Sequence, residues 1–428
     1  MLNFLLTKTP LVFFTQSFWR DEAFTYLMAK QPIGDIISTT VKDFSPPLYY
    51  IVLHFWMMLF GHSEIALRAL SLVFFFATIY VVDHILVEVF HLRKSHRILS
   101  LLTLSLNPFL LYYAGEARMY TMAAFWTTLS WYGMLTGKRR LYILSSVLAV
   151  YTHYFTALHI LAQFIAYRIF HRTTGYRAFV GIGVFFLPWA LFTFMSHGSS
   201  DSAFWIPSPT ITTIQSLPGI LFTGFEQSFH TGSEWLRYFT VIGFLTSAYV
   251  AIHAVLKRDR VGTTLLLWTW VPPLVLLGVS LMKPFFLPRY FIASTVGISL
   301  ITVYTFHRLP RMLALCAFVI VIIVSVQFNI DQSTQRTKAD LRTTISTLKK
   351  IMNPADVLYV ENELDFHTAQ YYFDEQRVYI YRKDYRELPE YVGKVLIPQQ
   401  YVTATLPTFP RKAYILHPNL RYDIQSVN

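Results

Sequence analysis

Two adjacent carboxylates, Asp21 and Glu22, stand in the stretch SFWRDEAFT (17–25), beside Arg20 and between Trp19 and Phe24. A carboxylate held at a membrane surface and partly desolvated can take a proton from an acceptor hydroxyl. An isolated Asp-Glu pair serves equally well as a loop acid or a helix cap, so its surroundings decide. Asp43 follows in VKDFSPPLYY (41–50), next to Lys42. It reads as a cap for the helix that Pro46 and Pro47 introduce. Glu116 and Arg118 share NPFLLYYAGEARMY (107–120) with Tyr112, Tyr113 and Tyr120. That pair either seals its short loop or contacts a substrate, and the tyrosines can stack on a sugar or sit in an interfacial belt. Lys283 and Arg289 bracket Pro284 and Pro288 in KPFFLPRYF (283–291), which also carries Tyr290. They either snorkel to the interface or clamp an anion, and an arginine fork suits phosphate. His153 in YTHYF (151–155) is an interface histidine or an acid–base group.

The chain that must position these groups reads as membrane. Of its 428 residues 54% are hydrophobic, 17% aromatic and 14% charged, with a mean hydropathy of +0.42. An ordinary soluble enzyme is excluded. An ionised side chain at bilayer depth costs about 2.5–3.5 kcal/mol, so charges that persist near the spans need a reason. The net charge of +12 does not indicate nucleic acid, because the basic residues fall in short clusters between apolar runs. Cys316 is the only cysteine, so no internal disulfide and no cysteine-based metal or redox motif is available. No Walker motif, Gly-rich phosphate loop or HExxH spacing is present. The sequence also shows no sign of a cleavable signal peptide.

Five basic clusters organise the topology: HLRKSHR (91–97), GKRR (137–140), RIFHRTTGYR (168–177), KRDR (257–260) and HRLPR (307–311), with 14 Lys or Arg in all. Basic residues in short loops stay on the cytoplasmic side, so the spans between clusters come in pairs. Spans are expected at 66–90, 98–114, 119–136, 141–154, 156–171, 178–196, 237–256, 262–281, 290–306 and 311–328. The charge rule requires two helices meeting at YTHYF rather than one. A marginal first span over 2–18 brings the count to about 11, with the N-terminus inside and the C-terminus outside. The run 46–61 is expected to lie in the outer interface, because a crossing there would place HLRKSHR outside.

From about residue 329 the acids return, 12 of the chain's 24 lying in this tail. TKADLRTTISTLKKI and DFHTAQYYF read as helices; DVLYVE, RVYIYR, KVLIP and KAYILHP read as strands. The expectation is a mainly α, polytopic membrane domain over 1–328 and a small extracytoplasmic α/β domain over 329–428. The tail either selects the acceptor or packs over the active site. It holds no Asn-x-Ser/Thr sequon, which leans toward a bacterial or archaeal plasma membrane.

Sorted by expected side, Arg20, Asp21, Glu22, Lys42, Asp43, Arg68, Glu116, Arg118, His153, Arg237, Lys283 and Arg289 collect on the external edge. In order and spacing, WRDEAFT, the run from DFSPPLYY to ALRALS, NPFLLYYAGEARMY, YTHYF and LPRYF resemble family 39-type members of the GT-C membrane glycosyltransferases. That group includes protein O-mannosyltransferases and aminoarabinose transferases. The resemblance covers about residues 15–300. It implies a polyprenyl-phosphate sugar donor, with Asp21 as base, Glu22 as its paired acid and Asp43 beside it. Glu116 and Arg118 match the acidic-basic element of the second external loop. The related enzymes carry Lys or His just before the Pro-Pro element, where this chain has Ser45. The donor phosphate must then be met from elsewhere, with Arg289, Lys283, Arg118 or Lys42 as candidates.

The expected reaction is inverting transfer to a hydroxyl on a glycan, lipid or protein, with membrane lipids around it and no nucleic acid partner. No cofactor is implied: the lipid-linked sugar is a substrate, and the sequence offers no convincing metal cage. The rival readings are a transporter or flippase of lipid-linked saccharides, and a surface-glycan ligase. A transporter favours ionisable groups at mid-membrane, whereas here they gather at one face.

Overall fold

The structure is a computed structural model that describes residues 7–43, 45–170, 176–196, 206–226 and 234–427. Residues 2–6 of the expected first span, Phe44 of the Pro-Pro element and 171–175 of the third basic cluster lie outside the described residues. The protein is mostly helical, with a small C-terminal sheet. Among the described residues, six helices are long and apolar enough to cross a membrane: Glu64–Glu88, Arg177–Ser196, Glu234–Lys257, Arg260–Ser280, the segment Pro288–Phe306, and Arg311–Gln335. It is a membrane protein. Two compact units are present, one chiefly Arg68–Phe194 with Ile206–Arg336, the other chiefly Thr15–Leu67 with Thr337–Asn428.

Two of the expected runs of the first unit differ in detail, and the division at YTHYF is as expected. The run 98–114 is two helices, Lys94–Ser105 and Pro108–Ala114, because Asn107 caps the second by accepting from Phe109 N and Leu110 N at 3.1 Å each. Arg311–Gln335 continues past residue 328, since Phe328, Asn329, Gln332 and Ser333 turn a buried stripe inward although the sequence has become polar. The run at 141–171 is two helices, Arg139–Thr152 and Ala157–Phe170, with His153 extended between them (φ −157°, ψ 124°). At the centre lies Ile292–Phe306, buried at every residue. Trp131 and Trp268 stack beside it at 5.2 Å, and Trp268 Nε1 donates to Ala293 O at 2.8 Å. The helices Tyr120–Leu135 and Arg139–Thr152 meet closely only because residue 133 is glycine: a Cβ there would lie 2.8 Å from Tyr142 N.

The ends that carry basic clusters are tied by ion pairs. Arg97 Nε donates to Asp83 at 2.8 Å, and Lys138 Nζ to Glu88 at 2.9 Å.

The second unit is built from both ends of the sequence. Its sheet has five strands in the order β3-β2-β1-β4-β5: β1 Val357–Val360, β2 Val378–Tyr381, β3 Val402–Thr403, β4 Ala413–Leu416 and β5 Tyr422–Gln425. β1 pairs in parallel with β2 and β4, β2 in parallel with β3, and β5 runs antiparallel to β4. Side chains alternate across the sheet. Leu358, Val360, Val378 and Ile380 face the Leu341–Ile351 helix residues Leu341, Ile345 and Leu348, while Val357, Tyr359 and Ile415 fill the other face. KVLIP is not a strand. Gly393 adopts φ +81° and sends Lys394–Leu396 into a 3-10 turn, which breaks the alternation the apolar residues suggest.

Against this domain pack the N-terminal helices Arg20–Lys30, Ile33–Lys42 and Leu48–Phe60. Phe24 lies 5.6 Å from the ring of His367, whose Nε2 meets Gly393 O at 3.2 Å. Lys30 Nζ donates to Glu375 at 2.6 Å, and Phe18 N donates to Tyr372 Oη at 2.7 Å. A Cβ on residue 393 would meet Phe24 Cδ2 at 2.6 Å and His367 Nε2 at 2.8 Å. Strain and clash act together, so Gly393→Ala is expected to cost about 1–3 kcal/mol. Thermal unfolding of the purified protein should show a lower midpoint; an unchanged one would remove this contact from the account.

Asp365, just before the Phe366–Tyr372 helix, has its pKa raised to about 6, mainly by burial, with Glu363 adding repulsion and an Asn362 hydrogen bond opposing it. A raised carboxyl pKa favours folding of the protonated form below about pH 4 and becomes a cost as pH rises through about 6. Asp365→Asn is therefore expected to stabilise the protein by about 1 kcal/mol at pH 7.5. The gain should vanish at pH 4. A gain equal at both pH values contradicts the assignment.

Candidate active site

In the unit of spanning helices, Tyr112, Glu116, Arg118, Tyr120, His153, Arg289 and Tyr290 come together. Tyr112 Oη donates to Glu116 Oε1 at 2.6 Å, and Glu116 is fully buried. Arg118 lies 5.8 Å from the Tyr120 ring, Tyr120 lies 5.8 Å from His153, and His153 lies 5.4 Å from Tyr290. Tyr290 stacks on Phe155 at 4.4 Å. Arg289 sits in the short turn Pro288–Phe291, where Pro288 starts the turn that leads into the central helix. Lys283 is exposed and lies 5.8 Å from the Phe285 ring.

Two further charged residues complete this array. Arg289 donates through Nε to Glu226 Oε1 at 3.2 Å and through Nη2 to Oε2 at 2.8 Å, with side chains only 7% and 5% exposed. A two-pronged pair of this kind is geometrically specific. Glu226 is placed by Gly224, which ends the Leu217–Thr223 helix at φ +61°. Arg336, buried, lies 4.0 Å over the Tyr112 ring and donates to Gly224 O at 3.2 Å. Tyr113 lies within electrostatic reach of Arg289, Glu226 and Glu116. Two carboxylates, three guanidiniums and stacked aromatic rings thus line one end of these helices, where an anionic, ring-bearing ligand finds both charge and flat surfaces.

In the other unit, Arg20, Asp21 and Glu22 form the first turn of their helix, an acidic start that suits the helix dipole. Arg20 Nε donates to Asp21 Oδ1 at 3.0 Å; the two side chains are 19% and 15% exposed. The guanidinium also lies 6.0 Å from the Tyr391 ring. Glu22 points inward, fully buried, and accepts from Lys338 Nζ at 2.9 Å, while Lys338 lies 5.6 Å from the Trp19 ring. The doublet is split in character: Glu22 is locked in a buried ion pair, and Asp21 keeps partial access to solvent.

Asp43 does not cap the Leu48–Phe60 helix. It forms the C-cap of Ile33–Lys42 and accepts from Ser45 Oγ at 2.8 Å; Pro47 precedes Leu48 without a side-chain cap. Lys42 is exposed at the same helix end. A second ionic knot missed by sequence reasoning lies nearby in the chain. Glu64 accepts from Arg342 Nη2 at 3.0 Å and from the Tyr372 hydroxyl, and Arg342 also donates to Thr15 O at 2.7 Å. Among the described residues, no three His, Cys, Asp or Glu side chains group as metal ligands.

No family profile matches this sequence, and no curated protein sequence does. Its fold is nonetheless known. The structure of ArnT from Cupriavidus metallidurans in the apo state matches with a TM-score of 0.61 at 15% identity, covering 96% of this chain and 91% of that one. ArnT from the same organism bound to undecaprenyl phosphate matches with a TM-score of 0.63 at 13% identity, covering 96% and 92%. The archaeal oligosaccharyltransferase AglB from Archaeoglobus fulgidus, in complex with an inhibitory peptide and a dolichol-phosphate, is more distant, at a TM-score of 0.48 and 11% identity over 84% of this chain and 60% of that one. The chain shares the fold of these ArnT structures.

Proposed function

We propose that this protein is a membrane glycosyltransferase that moves a sugar from a polyprenyl-phosphate carrier to an acceptor hydroxyl on the extracytoplasmic side of the plasma membrane. The observation that carries the reading is the fold shared over nearly the whole of both chains with a protein solved holding undecaprenyl phosphate. Two features support it: the arginine–tyrosine array of the spanning unit, and the partly accessible Asp21.

The roles divide by chemistry. Arg289, with Arg118 or Lys283, holds the donor phosphate. Tyr120, Tyr290 and His153 flank the sugar. Asp21 accepts the acceptor proton as its oxygen attacks the anomeric carbon; the bond from that carbon to the phosphate oxygen breaks, and polyprenyl phosphate leaves with its negative charge stabilised by the guanidiniums. Direct displacement inverts the anomeric centre. Glu22 and Lys338 fix the backbone that presents Asp21, so Glu22 acts as a positioning residue. Arg20 orients the Asp21 carboxylate, and Asp43 with Lys42 contributes at the end of the neighbouring helix.

The test is transfer of radiolabelled sugar by the purified protein in lipid. Polyprenyl monophosphate sugars are expected to serve as donors and pyrophosphate-linked saccharides are not. Preference for the pyrophosphate would instead identify a ligase. Translocation of the lipid donor without any transfer would identify a flippase.

A further inference from the structure

A cavity of about 850 Å³ in the spanning unit lies away from the candidate active site. It is lined by Arg139, Arg177 and Arg260, with walls that include Tyr142, Phe170 and Phe179. Helix geometry separates it from the candidate active site. Arg139 opens and His153 follows a helix of 14 residues, a rise of about 20 Å. Arg260 likewise opens the helix whose other end leads to Lys283.

Three arginines in one apolar cavity repel one another and are repelled by the helix ends they occupy. Each is the first residue of its helix, and none of the three helices has an acid in its first turn. Cations at helix N-termini oppose the dipole. Asp83 pairs with Arg97, and Glu88 with Lys138 and the Tyr132 hydroxyl; Asp259 caps the helix that Arg260 opens, accepting from Val261 N, Gly262 N and the Tyr304 hydroxyl. Among the described residues, the cavity lining contains no carboxylate. Positive charge, aromatic and aliphatic walls and the missing counter-charge together call for an anion with an apolar body. The flanking helices supply a path for acyl chains, since Ile169, Val180 and Val184 are exposed at 55%, 54% and 60%. Basic pockets between membrane helices are suited to anionic headgroups.

We propose that this cavity is a binding site for an anionic phospholipid, whose phosphodiester is held by Arg139, Arg177 and Arg260 and whose chains follow the apolar walls. A nucleotide is disfavoured, because the lining offers a base few hydrogen-bonding groups besides Thr264 and tyrosines.

Native mass spectrometry of the full chain in detergent tests this, with phosphatidylglycerol, phosphatidylcholine and undecaprenyl phosphate as added probes. Retention of phosphatidylglycerol should exceed that of phosphatidylcholine by about tenfold or more, as expected for a charge-assisted phosphate contact. The variant R139Q/R177Q/R260Q should lose this preference and keep undecaprenyl phosphate. The matched variant R140Q/K257Q/R258Q removes equal charge outside the cavity lining and should keep the preference. Equal retention of both phospholipids, or equal loss in both triple variants, overturns the site in favour of diffuse attraction to basic helix ends. Loss of undecaprenyl phosphate in the first variant reassigns the cavity to the carrier lipid. Should the first variant not fold, Arg260→Gln alone is read against Arg258→Gln on the same criteria.

Discussion

Asp21→Asn is expected to lower sugar transfer from a polyprenyl-phosphate donor by at least about 100-fold while leaving thermal unfolding unchanged. The side chain is partly exposed and its partner Arg20 is its chain neighbour, so an amide of the same shape disturbs little packing. Glu22→Gln should behave in the opposite way. It removes the carboxylate from a pair in which Glu22 is fully buried and Lys338 is 9% exposed. Breaking such a pair costs about 3–5 kcal/mol, so the unfolding midpoint should fall sharply. Activity per folded molecule should fall by less than in Asp21→Asn, because the base is displaced rather than removed. Measuring kcat and KM on the folded fraction separates the two outcomes. Transfer by Asp21→Asn at the wild-type rate would discard Asp21 as the base and leave the donor assignment standing.

Glu226→Gln is expected to destabilise the spanning unit by about 3–5 kcal/mol, because Arg289 stays buried without its charge partner. Replacing both residues with apolar ones, as in E226L/R289M, should restore most of that stability. It should not restore transfer, because the guanidinium proposed to meet the donor phosphate is gone. Arg289→Lys keeps the charge but not the fork, and its expected effect is a raised donor KM with a smaller change in kcat. The measurement is detergent-solubilised thermal unfolding beside donor titrations. A double variant that is both stable and active would make the pair structural and remove Arg289 from phosphate binding.

The spanning helices were legible because apolar runs and basic clusters carry them directly. The division at YTHYF was legible too, since one helix there would set GKRR and the third cluster on opposite sides. Misread features share a different cause. Glu226 lies in TGFEQSF, a stretch with no periodicity, and only the turn at Gly224 aims it at Arg289. Lys338 reads as one more charge ahead of an amphipathic helix, yet it is the partner of a carboxylate 316 positions earlier. KVLIP has the right apolar residues for a strand, but a left-handed glycine precedes it. Local pattern reveals elements; it does not reveal which distant charge will answer a buried one.

The joining of Thr15–Leu67 with Thr337–Asn428 in one compact unit bears on how the protein is made. The segment with the acidic doublet leaves the ribosome well before the side chains that complete its packing, Lys338, Tyr372 and Gly393 among them. At about 5–20 residues per second, the early helices wait on the order of tens of seconds for their counterparts. During that interval Glu22 has no lysine and Phe24 no surface to cover it. A nascent chain halted before residue 337 would therefore display an unfinished amphipathic fragment to quality-control proteases, and the unit would close only once residue 393 has been made.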